Sequence, residues 1–348
     1  MYNLKYNLII LGDNMIRIAI DANGGDHGVN TTVPAAMMAV QKFKNIELTL
    51  YGDENKIKPL LTNSERITVV HTESTLSMGE KDPVKAIRSN RDASLCLAMK
   101  SCKNGEADAC VTNGPTQCVV VGGHLLVRRL PEMERVALCP FIPNFDGKPR
   151  MMLDVGANVE LRPEHLGGFA IFASVVAKEL FGRKDPTVGL LNIGSEPGKG
   201  REFEKEAYDY LSKLPNINFK GNVEPDEMVD CPTDIVVTDG FNGNICLKAI
   251  EGTAKTMGKM LSREIKASVG GKIGYIFMRK NLKRFKKSMS TKEVGGAILF
   301  GLSNIVVKAH GNSDAPTYFN AIRLAKEMVE ADVISKVVAA LPKESTNE

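Results

Sequence analysis

Apolar runs that end in glycine-rich turns recur through this chain, and a chain so built folds as strands alternating with helices. Three turns in the second half carry the most chemistry: residues 190–200 (LLNIGSEPGKG), 237–248 (VTDGFNGNICLK) and 308–313 (KAHGNS). Each joins a buried-looking run to a turn holding Asn, Lys or His. In an α/β protein such turns lie at the carboxyl ends of strands, where ligands bind. Glycine lets backbone N–H groups approach an anion, and lysine adds a point charge. The pattern points to a phosphate-handling site. For any one turn alone, a plain connection between strand and helix is the alternative.

Ile16–Asp21 reads as the first buried strand, and the turn DANGGDHG that begins at its last residue opens a helix over 32–42. Strands follow at 46–51, Ile67–His71 and 107–111, with a short helix at 55–61 and a single helix across 83–104. The second half repeats the alternation: strand 151–155, helix 163–180, strand 187–193, helix 202–211, strand 235–238 and a helix from Asn244. This order predicts an α/β protein with a mostly parallel sheet covered on both faces. The stretch 255–289 departs from it, reading as a long helix broken at Gly270–Gly271 that projects from the sheet. Residues 295–297 and 299–307 then return the chain to the core. The expected organisation is one domain over 16–341 with a basic hairpin at 255–292, an N-terminal extension at 1–14 and a disordered tail at 342–348.

At 348 residues and 43% hydrophobic content the chain can bury a sizeable core. No apolar run approaches the roughly 18 residues that cross a bilayer. The apolar stretch 8–11 is too short for a signal peptide, and Met15, directly before the first strand, is a second candidate start. A cytoplasmic protein is expected. Seven Cys without a CxxC argue against a disulfide framework, and five His form no ligand-spaced cluster, so no metal is expected. The turn after the first strand lacks GxGxxG spacing and a Walker lysine, which argues against a dinucleotide or nucleoside triphosphate. No GxSxG elbow marks a serine nucleophile. The net charge of +4 is unevenly spread, with twelve Lys and Arg opposed only by Glu264 between Lys255 and Lys292. That block, beside Ile273, Tyr275, Ile276, Phe277, Leu282 and Phe285, suits an anionic membrane surface, an acidic protein or a simply solvated helical face.

The segments IDANGGDHG, MLDVGANVELRPEHLGGFA, VGLLNIGSEPGKG, NFKGNVE, VVTDGFNGNICLK and GGAILFGLSNIVVKAHGNS, followed by NAIR, occur here in one order. In them the chain resembles the PlsX family, the acyl-ACP:phosphate acyltransferases of bacterial phospholipid synthesis, from about residue 16 to 333. The resemblance implies a Rossmann-like three-layer α/β/α sandwich related to phosphotransacetylases and to isocitrate- and isopropylmalate-type dehydrogenases, with a projecting helical hairpin. It also implies a homodimer, no cofactor or metal, and peripheral membrane contact through the hairpin. The implied partners are acyl carrier protein, inorganic phosphate and a membrane glycerol-3-phosphate acyltransferase that takes the product; no nucleic acid is expected. The implied reaction moves a long-chain acyl group from acyl carrier protein to phosphate. A CoA-dependent phosphate acyltransferase, or a non-catalytic relative that binds acyl carrier protein or membrane, is the alternative.

That reaction fits the turns. Phosphate is itself the nucleophile, so the protein must hold it in line with the thioester carbon and stabilise the developing oxyanion. Lys199 and Lys248 are assigned to phosphate, Asn244 or His310 to the oxyanion or the departing sulfur, and Lys308 to either task. Asp21, Gly24, Gly25, Thr112, Gly114, Thr116, Asn192, Gly194 and Gly243 complete the expected phosphate cradle. Salt bridges of the three lysines with Asp21, Glu196 or Asp239 are the competing reading. Membrane or carrier-protein contact is assigned to Ile276, Phe277, Arg279, Lys280, Leu282 and Lys283. One loop departs from the family, which reads approximately Ser-Ala-Gly-Asn-Thr-Gly-Ala where residues 112–118 read Thr-Asn-Gly-Pro-Thr-Gln-Cys. Pro115 lacks an N–H and Gln117 resists positive φ, so a changed loop geometry is expected.

Overall fold

In the computed structural model, which describes residues 15–144, 146–288 and 295–342, strand β1 (Ile16–Asp21) is buried at every position except Arg17. It is covered because β2 (Ile46–Gly52) and β4 (Ala109–Thr112) pair with it on either side, both parallel. The sheet around it runs β3 (Ile67–His71), β2, β1, β4, β12 (Ile305–Lys308), β11 (Ala297–Phe300) and β5 (Ala137–Cys139). Only β11 runs antiparallel to its neighbours in that sheet. A second sheet runs β6 (Phe141–Ile142), β7 (Arg150–Leu153), β10 (Ile235–Val237), β8 (Thr187–Leu191) and β9 (Asn218–Val223), parallel except for the β6–β7 pair.

The two faces of the first sheet bury different cores, as a side-chain period of two requires. Ile16, Ile18 and Ile20 point to the face that carries α1 (Val29–Lys42) and α10 (Ala315–Glu330), while Ala19 points to the face that carries α4 (Ser94–Lys103). Asp21 therefore ends β1 on the α4 face. By the same alternation Thr112 ends β4 and Lys308 ends β12 on that face. Helix α6 (Pro163–Phe181) packs against both sheets, with Phe172 stacked on Phe300 at 4.3 Å between ring centres.

Several expected elements take a different form. The helix expected across 83–104 is two helices, α3 (Pro83–Ser89) and α4, because Asn90 turns its side-chain amide back to the Ala86 carbonyl and stops the first. Ser268, not the Gly pair after it, breaks the hairpin: it lies extended between α8 (Gly240–Ala267) and α9 (Val269–Ser288), and its Oγ accepts from Gly271 N–H. The return run 299–307 contains a reversal at Gly301, φ 87°, that separates antiparallel β11 and β12. Strand β9 and the helices α10 and α11 (Val333–Ala340) complete the fold without having been read from the sequence. The extension 1–14, nearly all of the expected tail, and Lys292 with the last hairpin residues lie outside the described residues.

Candidate functional site

Asp21 sits at the centre of a network at the carboxyl ends of β1 and β4. Its Oδ1 accepts from Ser94 Oγ at 2.6 Å and its Oδ2 from Thr112 Oγ1 at 2.7 Å. The Thr112 hydroxyl oxygen in turn accepts from Gly114 N–H at 2.9 Å, shaping the turn after β4. Burial raises the Asp21 pKa, although hydrogen bonds from Ser94, Thr112 and the Gly24 backbone pull the other way. The carboxylate is thus spent on holding loops in place. Gly24 and Gly25 must be glycine: a methyl group on the first would lie 2.4 Å from Asp21 Oδ2, and one on the second 2.2 Å from Asn113 Nδ2. Gly25 also takes φ 76°, which side chains avoid.

Next to this network stand the cations. Lys308 and Thr112 are paired in register, and Ala309 N–H donates to the Thr112 carbonyl at 2.8 Å. Burial first, and the charge of Lys248 second, lower the Lys308 pKa to about 8. Its ammonium donates to the Ala309 carbonyl at 3.1 Å, and among the described residues no carboxylate forms an ion pair with it. Lys248 projects from α8, paired with Glu251 at 3.3 Å on the exposed face. The same neighbourhood holds His310, whose pKa is lowered by burial, Lys308 and Lys248 against the opposing pull of Glu251 and Asp26. Asn312 N–H donates to His310 Nδ1 at 3.2 Å, so the neutral ring carries its proton on Nε2, where it can donate.

The carboxyl ends of the second sheet hold the remaining expected residues. Asn192 is buried, bonding the Lys199 carbonyl through Nδ2 and the Ile193 N–H through Oδ1. Gly194 packs on the Lys199 stem, and the Lys199 ammonium lies 3.8 Å from Glu196 on the surface. Arg201 ties this loop to α8, reaching Asp239 at 2.7 Å and Glu204 as well. Although burial works against it, Arg201 holds the Glu204 carboxyl below its ordinary value. Asp239 caps α8 by accepting from Asn242 N–H. Gly243 lets α8 pass the Asp154 carbonyl, where a methyl group would lie at 1.9 Å, and exposed Asn244 faces Gly156.

The structure therefore gathers Asp21, Gly24, Gly25, Thr112, Gly114, Lys248, Lys308 and His310 in one place. Asn192, Gly194 and Lys199 form a second group, with Gly243 and Asn244 on the helix that leads from it to Lys248. The family described as "Fatty acid synthesis protein" matches residues 16–336. The phosphate acyltransferase of Acholeplasma laidlawii is 48% identical over 325 residues, 93% of this chain and 97% of that protein.

The chain belongs to this family.

The Oceanobacillus iheyensis phosphate acyltransferase is 44% identical, across 94% of this chain and 97% of its own length. Among solved structures, phosphotransacetylases from Streptococcus pyogenes (TM-score 0.58, 18% identity, 92% of this chain and 96% of that one) and Staphylococcus aureus (0.57, 14%, 91% and 94%) share the fold. The family loop that differs here keeps an ordinary backbone. Pro115, at φ −62°, stands just before α5 (Thr116–Gly122), where a missing N–H costs little, and Gln117 is an exposed residue of its first turn. Neither position takes a positive φ.

Sequence reasoning passed over the structural role of Ser94, the Glu251 and Arg201 pairings, and Asn113. The Ser94 hydroxyl reaches Asp21 because the chain breaks between α3 and α4. All seven Cys are buried and unpaired, and burial pushes Cys96 and Cys118 up to about 11 and Cys102 to about 12, which leaves no thiolate nucleophile among them. Among the described residues no group of three His, Cys, Asp or Glu converges as a metal site.

Proposed function

We propose that this chain transfers a long-chain acyl group from acyl carrier protein to inorganic phosphate, releasing acyl phosphate for phospholipid synthesis. The observation that carries the reading is Lys308, a partly buried cation beside a second cation and, among the described residues, without an acidic partner, at the strand ends of a phosphate acyltransferase fold. A dianion there would relieve the repulsion and replace lost hydration. Lys308, Lys248 and the backbone N–H groups of the turns after β1 and β4 hold phosphate; Lys199 and the Asn192–Gly194 turn approach from the second sheet. Phosphate with one remaining proton attacks the thioester carbon. Its P–O–C bond forms, the C–S bond breaks, and the phosphate proton passes to the departing sulfur, so charge balances at two negatives on each side. His310 Nε2–H or the Asn244 amide donates to the thioester oxygen as it gains charge.

The hairpin supports the choice of an acidic protein donor and a membrane location. Ile276 and Phe277 are 70% and 82% exposed, and with Val269 and Ile273 they make one helical stripe of α9 that runs on into Lys280 and Lys283, with Arg279 at its edge; Leu282 is half-covered. No helix among the described residues is long and apolar enough to cross a membrane. We assign to this hairpin the contact with anionic lipid and with acyl carrier protein, and to the exposed length of α8 the contact with a second copy of the chain. The test is acyl phosphate formation from palmitoyl-ACP and phosphate, trapped with hydroxylamine, with palmitoyl-CoA alongside. Product from the carrier-protein thioester alone supports the reading. Product from CoA alone makes the enzyme CoA-dependent, and none from either leaves a binding protein.

A further inference from the structure

Asn113 is the first residue after β4 and is fully buried, yet neither Oδ1 nor Nδ2 of its amide has a partner among the described residues. Buried polar side chains are bonded in the large majority of cases, and an unmet amide costs about 1–3 kcal/mol. The position gives the exception a meaning. In the first sheet the chain steps from β1 outward to β2 and β3, whereas β4 lies on the other side of β1 and leads to β12. The crevice beyond β1 and β4 is thus the point where strand order reverses, the usual ligand position of such sheets. Asn113 stands in it, walled by the side-chain-free Gly24 and Gly25, with Gly311 and the Lys308 strand end alongside.

We infer that Asn113 is a phosphate ligand and the group that selects phosphate over sulfate. This rests on the phosphate-binding reading above. An amide offers both a donor and an acceptor. Nδ2–H donates to an anionic oxygen, and Oδ1 accepts the one proton that phosphate keeps and that sulfate lacks near neutral pH. A site that satisfies a ligand hydroxyl rejects the analogue without it, because its own acceptor is then left unpaired. Phosphate reaches the amide by parting two turns that close over it. They are joined by Asp26 N–H to the Gly311 carbonyl at 2.9 Å, His27 to Asn312 at 3.0 Å and Thr31 to the Ser313 carbonyl at 3.0 Å. Buried Ser313 Oγ, also without a partner among the described residues, lies in the second of these turns.

The test is calorimetric binding of phosphate and of sulfate to the full-length wild type and to N113A, which needs no turnover. Alanine removes only the amide and keeps the backbone, so the variant is expected to fold. The preference for phosphate over sulfate should fall about tenfold, in line with one hydrogen bond to a charged group. A preference that does not change overturns the inference, as does a wild type that binds neither anion. Tight phosphate binding without acyl phosphate formation would sink only the acyl-transfer reading. Should N113A not fold, the Asn113 side-chain amide resonance of the wild type decides: movement with phosphate but not with sulfate supports the inference, and no movement at saturating phosphate overturns it.

Discussion

The carboxyl ends of the two sheets are built from similar residues and meet their charges differently, though each holds a buried amide oxygen with no partner among the described residues, Asn222 Oδ1 in one and Asn113 Oδ1 in the other. Around Asn192, Arg201 and Asp239 each charge and amide discussed above finds a partner within the chain: Arg201 serves two buried carboxylates, and Asn192 bonds both sides of its own loop. Around Thr112 and Lys308 the anchoring groups are satisfied, but among the described residues Lys308 lacks an acid and Asn113 lacks any side-chain hydrogen-bond partner. A folded chain tolerates such deficits when something else meets them, since buried polar groups left alone are costly. The first end reads as a brace, the second as a receptacle.

Removing the anchor should have the largest effect. D21A strands the Ser94 and Thr112 hydroxyls and unshapes the turn after β4, so we expect loss of about 2–4 kcal/mol in urea unfolding and a fall in acyl transfer of at least ~100-fold. Normal stability would show that Asp21 does not organise this end.

K308M separates binding from stability. Phosphate kcat/KM should fall by about 10- to 100-fold, as for a lost charged hydrogen bond. In the absence of phosphate the variant should nevertheless melt higher, because a desolvated cation has gone. The pH dependence follows from the same cause. The folded pKa of about 8 lies below the ordinary 10.5, so between those values the unfolded chain binds the extra proton. Ligand-free stability therefore rises from pH 8 to 10.5, and K308M should flatten that rise. Phosphate affinity runs the other way and declines above pH 8 as Lys308 discharges.

The brace should answer differently. R201A leaves Asp239 and Glu204 without their partner and should lower stability by about 1 kcal/mol with little change in phosphate KM, the reverse of K308M. K199M should raise phosphate KM roughly threefold to tenfold, less than K308M, because its ammonium is exposed and shared with Glu196. The smallest effect on chemistry is expected far from both ends: I276D with F277D should cut binding to anionic vesicles about tenfold while acyl phosphate formation stays within ~2-fold. Equal loss of both activities would place the hairpin in catalysis.

The receptacle was more legible in the sequence than its fittings. Asp21, Thr112 and Lys308 each follow or close an apolar run, which marks them as strand-end residues; that they meet on one face depends on β4 and β12 lying beside β1, a strand order the pattern does not give. Ser94 is different: Arg-Ser-Asn-Arg-Asp-Ala-Ser carries no Gly or Pro, and the helix stops through the Asn90 side chain, which local pattern does not reveal. Strand β9 (NFKGNV) was hidden because it is an edge strand, half-exposed, with polar residues and Gly221 at φ 99°. Asn113 sits in Thr-Asn-Gly-Pro, which reads as an exposed turn; only the tertiary closure of the Gly24–Gly25 and Gly311 turns buries it. Pro115 and Gln117 looked disruptive against the family pattern and are absorbed at a helix start.

The most direct measurement is a crystal structure with arsenate, a phosphate analogue whose anomalous signal marks its own position. The account predicts a peak within hydrogen-bond reach of Lys308 Nζ, beside the turns after β1 and β4. A peak confined to the Asn192–Lys199 loop, with the Lys308 end empty, would contradict it.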